Sequence, residues 1–369
     1  MDAKTKKIGR LRRFFFRLLG PSLSKKIICR ALRKWIDKSP ASFPADLNRS
    51  SDILFILPAD RVEMTFQLES LFSIIGKYKG SALTFVCPGS HGSFVSGFPN
   101  ARVIRYDPDD FLLYSAEHNR LAKKLSERAF DICVMLEKNY TLAHLYLAGI
   151  SRAHLRIGWE GGNAGVGSYP FLNVRLVASR REGVNLWERN LEVAKILNVS
   201  TVSKMRWGVQ ESTLAEVGKI LSEHKLERKP ALICIDLASL ESGCGQIWSA
   251  ELMRSLKESK IGHFCIYSGS EDARSGFKDV PFPVLPPMSA SRVAALMEHT
   301  DAVIAGVGAL LGLAQISANK IVPVLTKEQA EMYCKRNDSI LPALLSPSQK
   351  PDGEAVRAVI KNIKMLLAK

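Results

Sequence analysis

The sequence predicts an α/β protein of two domains, each a doubly wound parallel sheet with helices on both faces. Three observations predict it. Short, largely apolar runs such as Ile53–Leu57, Ala82–Cys87 and Ala231–Asp236 have the composition of strands buried on both faces. Segments with apolar residues at helical spacing separate them, the first carrying Val62, Phe66, Leu68, Leu71, Phe72 and Ile75. The chain is 369 residues long, enough for two domains at ~100–200 residues each, and the strand–helix alternation restarts after Glu227-Arg228-Lys229-Pro230. The expected division is a basic tail and linker over residues 1–50, a first domain over 51–200, a second over 201–350 and a last helix over 351–369.

Composition narrows the class. Hydrophobic residues make up 46% and charged residues 24%, as in an ordinary globular chain. No run of about 18 apolar residues occurs, so no transmembrane helix is expected. The seven cysteines, Cys29, Cys87, Cys133, Cys234, Cys244, Cys265 and Cys334, are odd in number and form no C-x-x-C pair. That argues for a reducing compartment and against a disulfide framework or a zinc site. The histidines show no metal-ligand spacing.

The net charge of +16 is unevenly placed: residues 1–40 hold 13 Lys and Arg against 2 Asp, and the rest of the chain is nearly neutral. Leu11-Arg12-Arg13-Phe14-Phe15-Phe16-Arg17-Leu18-Leu19 is followed by a second segment with Ile27, Ile28, Ala31, Leu32 and Trp35 on a helical stripe among lysines and arginines. This basic helical tail suits an interfacial helix on an anionic membrane. A solubilising arm, or one packed on the body, is the alternative; nucleic acid ranks behind both. Residues 39–51 read as a linker.

In order, strands are expected at 53–57, 82–87, 102–105, 131–136 and 154–158, with helices at 62–78, 109–128, 140–149, 184–197 and 211–225. The stretch Gly158–Pro170 is glycine-rich and reads as a loop, either ligand-facing or made of turns. No helix opens from it, so it is not a dinucleotide fingerprint. In the second domain strands are expected at 231–236, 263–267, near 283–285, 302–305 and 320–325. Helices are expected at 248–259, 290–299, 309–317, 327–334 and 353–367, with a loop over Leu237–Gln246 and a Pro-rich loop over 342–351. Asp60 stands at the carboxyl end of the first strand and the amino end of the first helix. Open α/β sheets bind ligands at that edge. An Asp there also reads as a helix cap.

Four segments resemble the heptosyltransferase family of lipopolysaccharide core assembly, glycosyltransferase family nine. Asp52-Ile53-Leu54-Phe55-Ile56 through Asp60 to Leu68 resembles the opening strand, the Gly-Asp motif (Ala59 in place of Gly) and the following helix. Ala129-Phe130-Asp131-Ile132-Cys133-Val134-Met135-Leu136 resembles the "Y-D-l-x-i-D" strand, with no acid at the strand's end. Leu147-Ala148-Gly149-Ile150 with Arg156-Ile157-Gly158 resembles a helix end and the "R-I-G" strand, and Asn185–Leu191 with Leu197-Asn198 resembles the interdomain helix.

The resemblance implies a GT-B fold, two Rossmann-like domains with a cleft between. It implies Asp60 as the catalytic base that takes the acceptor's proton. On the donor side it points to Ser242, Gln246, Trp248, Ser268, Gly269, Glu271, Gly306 and Gly308, and on the acceptor-side loops to His91, Trp159, Glu160 and Asn163. Glu271 also reads as an acid beside a helix N-terminus. No metal or other cofactor is expected; the nucleotide-diphospho-sugar is a co-substrate. The donor half departs from the pattern. The K-x-W segment is Gln246-Ile247-Trp248, and D-[ST]-G-x-x-H-L-A is Val307-Gly308-Ala309-Leu310-Leu311-Gly312-Leu313-Ala314. Lys, Asp and His are lost, leaving Ser242 and the backbone amides of the 237–246 loop as expected donor contacts. Two readings follow. One is a hexosyl- or heptosyl-type transferase acting on an envelope glycolipid from the cytoplasmic, inner face of a bacterial inner membrane. The other is a catalytically degenerate module that binds a glycan or a partner.

Overall fold

The computed structural model describes Arg30 and residues 51–95, 98, 101–160, 168–177, 185–199, 209–226, 229–267, 269, 280–317, 319–335, 337–345 and 353–368. Apart from Arg30, the basic tail and its linker lie outside the described residues. The chain divides into two compact units. Unit one comprises Met1–Asp60, Ile74–Arg180 and Glu192–Val199; unit two comprises Arg61–Ser73, Arg181–Leu191 and Ser200–Lys369.

Unit one is built on a parallel sheet of β1 (Asp52–Ile56), β2 (Ala82–Pro88), β3 (Ala101–Tyr106), β4 (Ile132–Met135), β5 (Leu155–Glu160) and β6 (Val174–Val177), in the order β3-β2-β1-β4-β5-β6. This is the Rossmann order, whose direction of winding reverses between β1 and β4. Helix α1 (Arg61–Lys77) follows β1. A 3-10 turn, Gly89–Phe94, follows β2. Helices α2 (Ala116–Ser126), α3 (Leu142–Ile150) and α4 (Leu186–Ile196) come after β3, β4 and β6. β1, β2, β4 and β5 bury nearly every side chain along their length, which is why they read as largely apolar runs. Leu54, Ile56, Val86, Cys133 and Met135 pack against Leu145, Leu147 and Ala148 of α3.

Unit two carries a second parallel sheet of β7 (Leu232–Asp236), β8 (His263–Tyr267), β9 (Ala302–Ala305), β10 (Lys320–Leu325) and β11 (Ala343–Leu344), in the order β11-β10-β9-β7-β8. The winding reverses between β7 and β9. Its helices are α5 (Glu211–Glu223), α6 (Leu237–Cys244), α7 (Gln246–Ser259), α8 (Ala290–His299), α9 (Ala309–Ile316), α10 (Lys327–Tyr333) and α11 (Gly353–Ala368). Ile233, Ile235, Trp248, Leu252, Ile304 and Val322 form its core. The first half of α1 belongs here. Phe66 lies 5.2 Å from the Trp187 ring and 5.4 Å from Tyr333. Trp187 Nε1 donates to Tyr333 O at 3.0 Å, and Asn190 Nδ2 donates to Phe66 O at 2.8 Å. Asn185 Nδ2 donates to Cys334 O at 2.6 Å. These bonds are what the Asn185-Leu186-Trp187 segment supplies.

Several expectations are corrected. The region 109–128 is helical only from Ala116, because Ser115 caps the helix there by accepting from His118 N. Residues 237–246 are not a loop. The Asp236 carboxylate caps α6, and Leu237 and Leu240 are buried, so Ser242 and Gly243 sit in a helix despite their turn-forming character. Residues 283–285 make only an isolated bridge, Ile266 to Val284. Gly158-Trp159-Glu160 belong to β5, while residues 161–167 of the Gly-rich stretch lie outside the described residues. β6, and β11 within the 342–351 stretch, are too short, at four and two residues, to read as strands from sequence. Among the described residues no helix is long and apolar enough to cross a membrane.

Both central strand pairs are fixed at their amino edge by the same device. Asp131 donates its N–H to Asp52 O at 2.9 Å, and its Oδ2 accepts from Asp52 N at 3.1 Å and Ser51 N at 2.6 Å. Asp301 donates to Leu232 O at 2.7 Å, and its Oδ2 accepts from Leu232 N at 2.9 Å. Asp131→Ala and Asp301→Ala should each destabilise the protein by about 1–3 kcal/mol, because each strands backbone N–H groups. Denaturant unfolding midpoints test this, and an unchanged midpoint in both variants contradicts it.

Candidate functional site

Each unit presents chemistry at its winding reversal, where adjacent strands feed helices on opposite faces and their carboxyl ends splay apart. In unit one the reversal lies between β1 and β4. The chain leaves β1 through Pro58-Ala59-Asp60, and Asp60 is exposed immediately before α1. Across from it stands Glu137, two residues beyond β4 and 2% exposed. Glu137 Oε2 accepts from Ala59 N at 2.7 Å, and Oε1 accepts from Asn139 N at 2.8 Å. Burial pushes its carboxyl above the usual range. The two N–H donors oppose that shift, and the Asp60 charge adds to it. Glu137 therefore clamps the turn that presents Asp60.

His91, in the 3-10 turn after β2, is buried and bonds Pro58 O through Nδ1 at 3.0 Å. A carbonyl only accepts, so Nδ1 carries the proton. His91 thus holds the same turn from the other side. Trp159 is buried at the end of β5, with Lys138 Nζ 5.3 Å from its ring centroid. Glu160 is exposed and pairs with Arg175 at 2.9 Å. Asn163 lies outside the described residues. The Arg156 of the R-I-G segment is 1% exposed. It donates to Phe171 O at 2.9 Å, Ala153 O at 2.8 Å and Pro170 O at 3.2 Å, so it holds the segment after β5 in place.

Glu137 is the residue that the sequence reading passed over. The apolar pattern ends this strand at Leu136 without an acid, and the acid is the next residue. Its partners Ala59 and Asp60 are more than seventy residues away in sequence, so only the pairing of β1 with β4 brings them together.

In unit two the reversal lies between β7 and β9. Asp236 ends β7 and its Oδ1 accepts from Ser239 N at 3.3 Å. Ser239 Oγ donates to Asp236 O at 3.0 Å and accepts from Gly306 N at 2.9 Å, so one hydroxyl stitches the two strand ends. A Cβ on Gly306 would lie 2.6 Å from Ser239 O, a backbone atom that cannot yield. A Cβ on Gly308 would lie 3.2 Å from Asp236 Oδ2. The two glycines let the chain after β9 pass the first turn of α6. Arg61, the first residue of α1, donates Nη2 to Tyr267 Oη at 3.4 Å. Asp236 is 7% exposed, and burial raises its carboxyl to about 6, against the Ser239 hydrogen bonds and the Arg61 charge.

The expected donor residues fare differently. Gly306 and Gly308 stand at the reversal. Gly269 follows β8 with φ +73. Ser242 and Gln246 are exposed on α6 and at the start of α7. Trp248 is 0% exposed within the core, which leaves it no surface to offer a ligand. The stretch expected as a 237–246 loop is instead helical, with residues 237–244 in α6 and Gln246 opening α7. Ser268 and Glu271 lie outside the described residues. Asp236, Ser239, Arg61 and Tyr267 were not singled out from sequence, since their partnership spans up to 206 positions. The structure also accounts for Gly312, where the resembling family has His. A Cβ there would lie 2.8 Å from the Thr65 Cβ of α1, so α9 and α1 approach too closely for a side chain. Among the described residues no group of three His, Cys, Asp or Glu side chains is placed to hold a metal.

The raised Asp236 gives a pH-dependent stability. Its folded-state carboxyl titrates near 6 rather than near the ordinary value of 3.8, so its contribution is intact below about pH 4 and is lost as pH rises through 6. Asp236→Asn keeps a capping oxygen and removes the titration. Its stability relative to wild type should grow between about pH 4 and pH 7.5, by up to ~2–3 kcal/mol. Unfolding measured across that range tests this, and a pH-independent difference contradicts it.

No protein-family profile matches the sequence, and no curated protein sequence matches it. Solved structures do. A glycosyl transferase family 9 protein from Veillonella parvula superposes with a TM-score of 0.70 at 14% identity, covering 88% of this chain and 99% of the other. The E. coli ADP-heptose LPS heptosyltransferase II gives 0.65 at 14% identity, over 86% and 98%. The E. coli heptosyltransferase WaaC with ADP gives 0.62 at 15% identity, over 85% and 99%. Two Rossmann-like units with their reversals at β1/β4 and β7/β9 thus form a GT-B fold, the fold of family-nine glycosyltransferases, carried here by a strongly divergent sequence.

Proposed function

We propose that the protein is a glycosyltransferase that moves a sugar from a nucleotide-diphospho-sugar to a lipopolysaccharide-core or related envelope glycan. It would work as a peripheral protein on the inner face of a bacterial inner membrane. The observation that carries the reading is Asp60: an exposed carboxylate at the unit-one reversal, on a turn clamped by Glu137 and His91. The fold shared with family-nine and heptosyltransferase structures supports it.

In this reading the acceptor hydroxyl oxygen forms a bond to the anomeric carbon of the donor. The bond from that carbon to the diphosphate oxygen breaks, and the nucleoside diphosphate leaves with the electron pair. The hydroxyl proton passes to the Asp60 carboxylate. Negative charge on the leaving group needs positive charge or N–H donors. The first turn of α9 starts at Gly308 without a capping side chain, which leaves its N–H groups open to an anion. No metal enters the scheme. Residues 1–40, with their concentration of Lys and Arg beside Phe and Leu, would bring the protein to the anionic surface that holds a glycolipid acceptor. A binding module without turnover is the second reading; Gln246, Val307 and Gly312, in place of Lys, Asp and His, favour it.

Calorimetry with ADP-, UDP-, GDP- and CDP-sugars separates the two. The transferase reading expects one of them to bind at millimolar concentration or better. It expects Asp60→Ala to keep that binding while transfer or slow hydrolysis falls by about 10²–10⁴-fold. No binding by any of them removes the transferase reading, and binding with no turnover in wild type favours the module. Flotation with vesicles containing anionic lipid tests the tail. Full-length protein should float and protein lacking residues 1–40 should not, with added salt weakening the association; equal flotation removes the anchoring role.

A further inference from the structure

We propose that Arg61 is the cation that receives the donor diphosphate, in place of the lysine that the resembling family carries where this chain has Gln246. The inference rests on the transferase reading and names the residue that reading otherwise lacks.

Four observations lead to it. The unit-two reversal, where a ligand of this sheet is expected, is bounded by Asp236, Ser239, Gly306 and Gly308. Arg61 reaches that edge from α1: its Nη2 bonds the Tyr267 hydroxyl at the end of β8, and its charge acts on both Tyr267 and Asp236. The bond to Tyr267 is long at 3.4 Å, and Arg61 Nε is buried with no hydrogen-bond partner among the described residues. The guanidinium is thus positioned but not saturated. Finally, at the three positions where the resembling family carries its Lys, Asp and His, Gln246 is uncharged, Val307 has no polar group and Gly312 is pressed against Thr65. A guanidinium presents a planar fork that matches phosphate oxygens, a better match than a point charge.

The test is calorimetry on full-length protein with ADP, GDP, UDP and CDP and with the matching nucleosides. Arg61→Gln should weaken the preferred nucleoside diphosphate by about tenfold or more and leave the nucleoside unchanged, with Arg61→Lys between them. Unchanged diphosphate affinity in Arg61→Gln overturns the assignment while leaving the transferase reading in place. A wild type that binds no nucleoside diphosphate or nucleotide sugar overturns both. Should Arg61→Gln fail to fold, Arg61→Lys decides alone: full retention of affinity overturns the fork, and a several-fold loss supports it.

Discussion

An aspartate that both donates to and accepts from the first residue of its neighbouring strand sets the register of each sheet. Asp131 does this between β4 and β1, and Asp301 between β9 and β7. Register in a parallel sheet is what decides which side chains meet at the far edge, since a one-residue slip turns every side chain to the other face. With the amino edge pinned, Ala59 and Glu137 must face one another at the carboxyl edge of the first sheet, and Asp236 must face Gly306 at the second. The "Y-D" resemblance around Asp131 therefore marks a structural residue whose effect is felt at the opposite end of its strand. Its counterpart Asp301 carries no recognisable motif and does the same work.

The three carboxylates at these edges are separated in role by their surroundings. Asp60 is exposed at the carboxyl edge of the first sheet. Glu137 is buried and accepts two backbone N–H groups, so it holds geometry. Asp236 is also buried and caps α6, so its charge is compensated by Ser239 N–H and by Arg61 rather than by water. A buried carboxylate without such partners would carry a penalty of several kcal/mol. Arg61 therefore contributes to unit two even before any ligand arrives, which gives a physical reason for its position independent of catalysis.

Much of the fold was legible because buried parallel strands advertise themselves. Ile53–Leu57 and Ala231–Asp236 fall within a residue of β1 and β7, and the helix after the first was found where apolar spacing placed it. What escaped was decided by tertiary context. Ser242, Gly243 and Gly245 look like a loop, yet Asp236 starts a helix and the burial of Leu237 and Leu240 sustains it past them. Trp248 looked like half of a donor motif and is a core side chain. Asp60 was legible as a candidate because a single strand–helix junction displays it. Glu137, Ser239 and Arg61 were not, because each acquires its meaning from a partner on another strand or helix. Local pattern finds the edge of a sheet; the order of its strands finds which residues share that edge.

That distinction bears on the donor half. Judged position by position against its resembling family, the chain has lost a lysine, an acid and a histidine, and the loss reads as decay. Judged by what the fold brings to the β7/β9 reversal, positive charge is present, supplied from α1 and balanced by Asp236. The His position is closed by packing, since Gly312 lets α9 and α1 approach through Thr65, and that same approach is what carries α1, and Arg61 with it, onto unit two. The closed position at Gly312 and the placement of Arg61 beside Tyr267 thus share one cause, the packing of α1 in unit two. Arg61 opens α1, and the packing of Thr65 on Gly312, one turn further along, fixes that end of the helix within unit two.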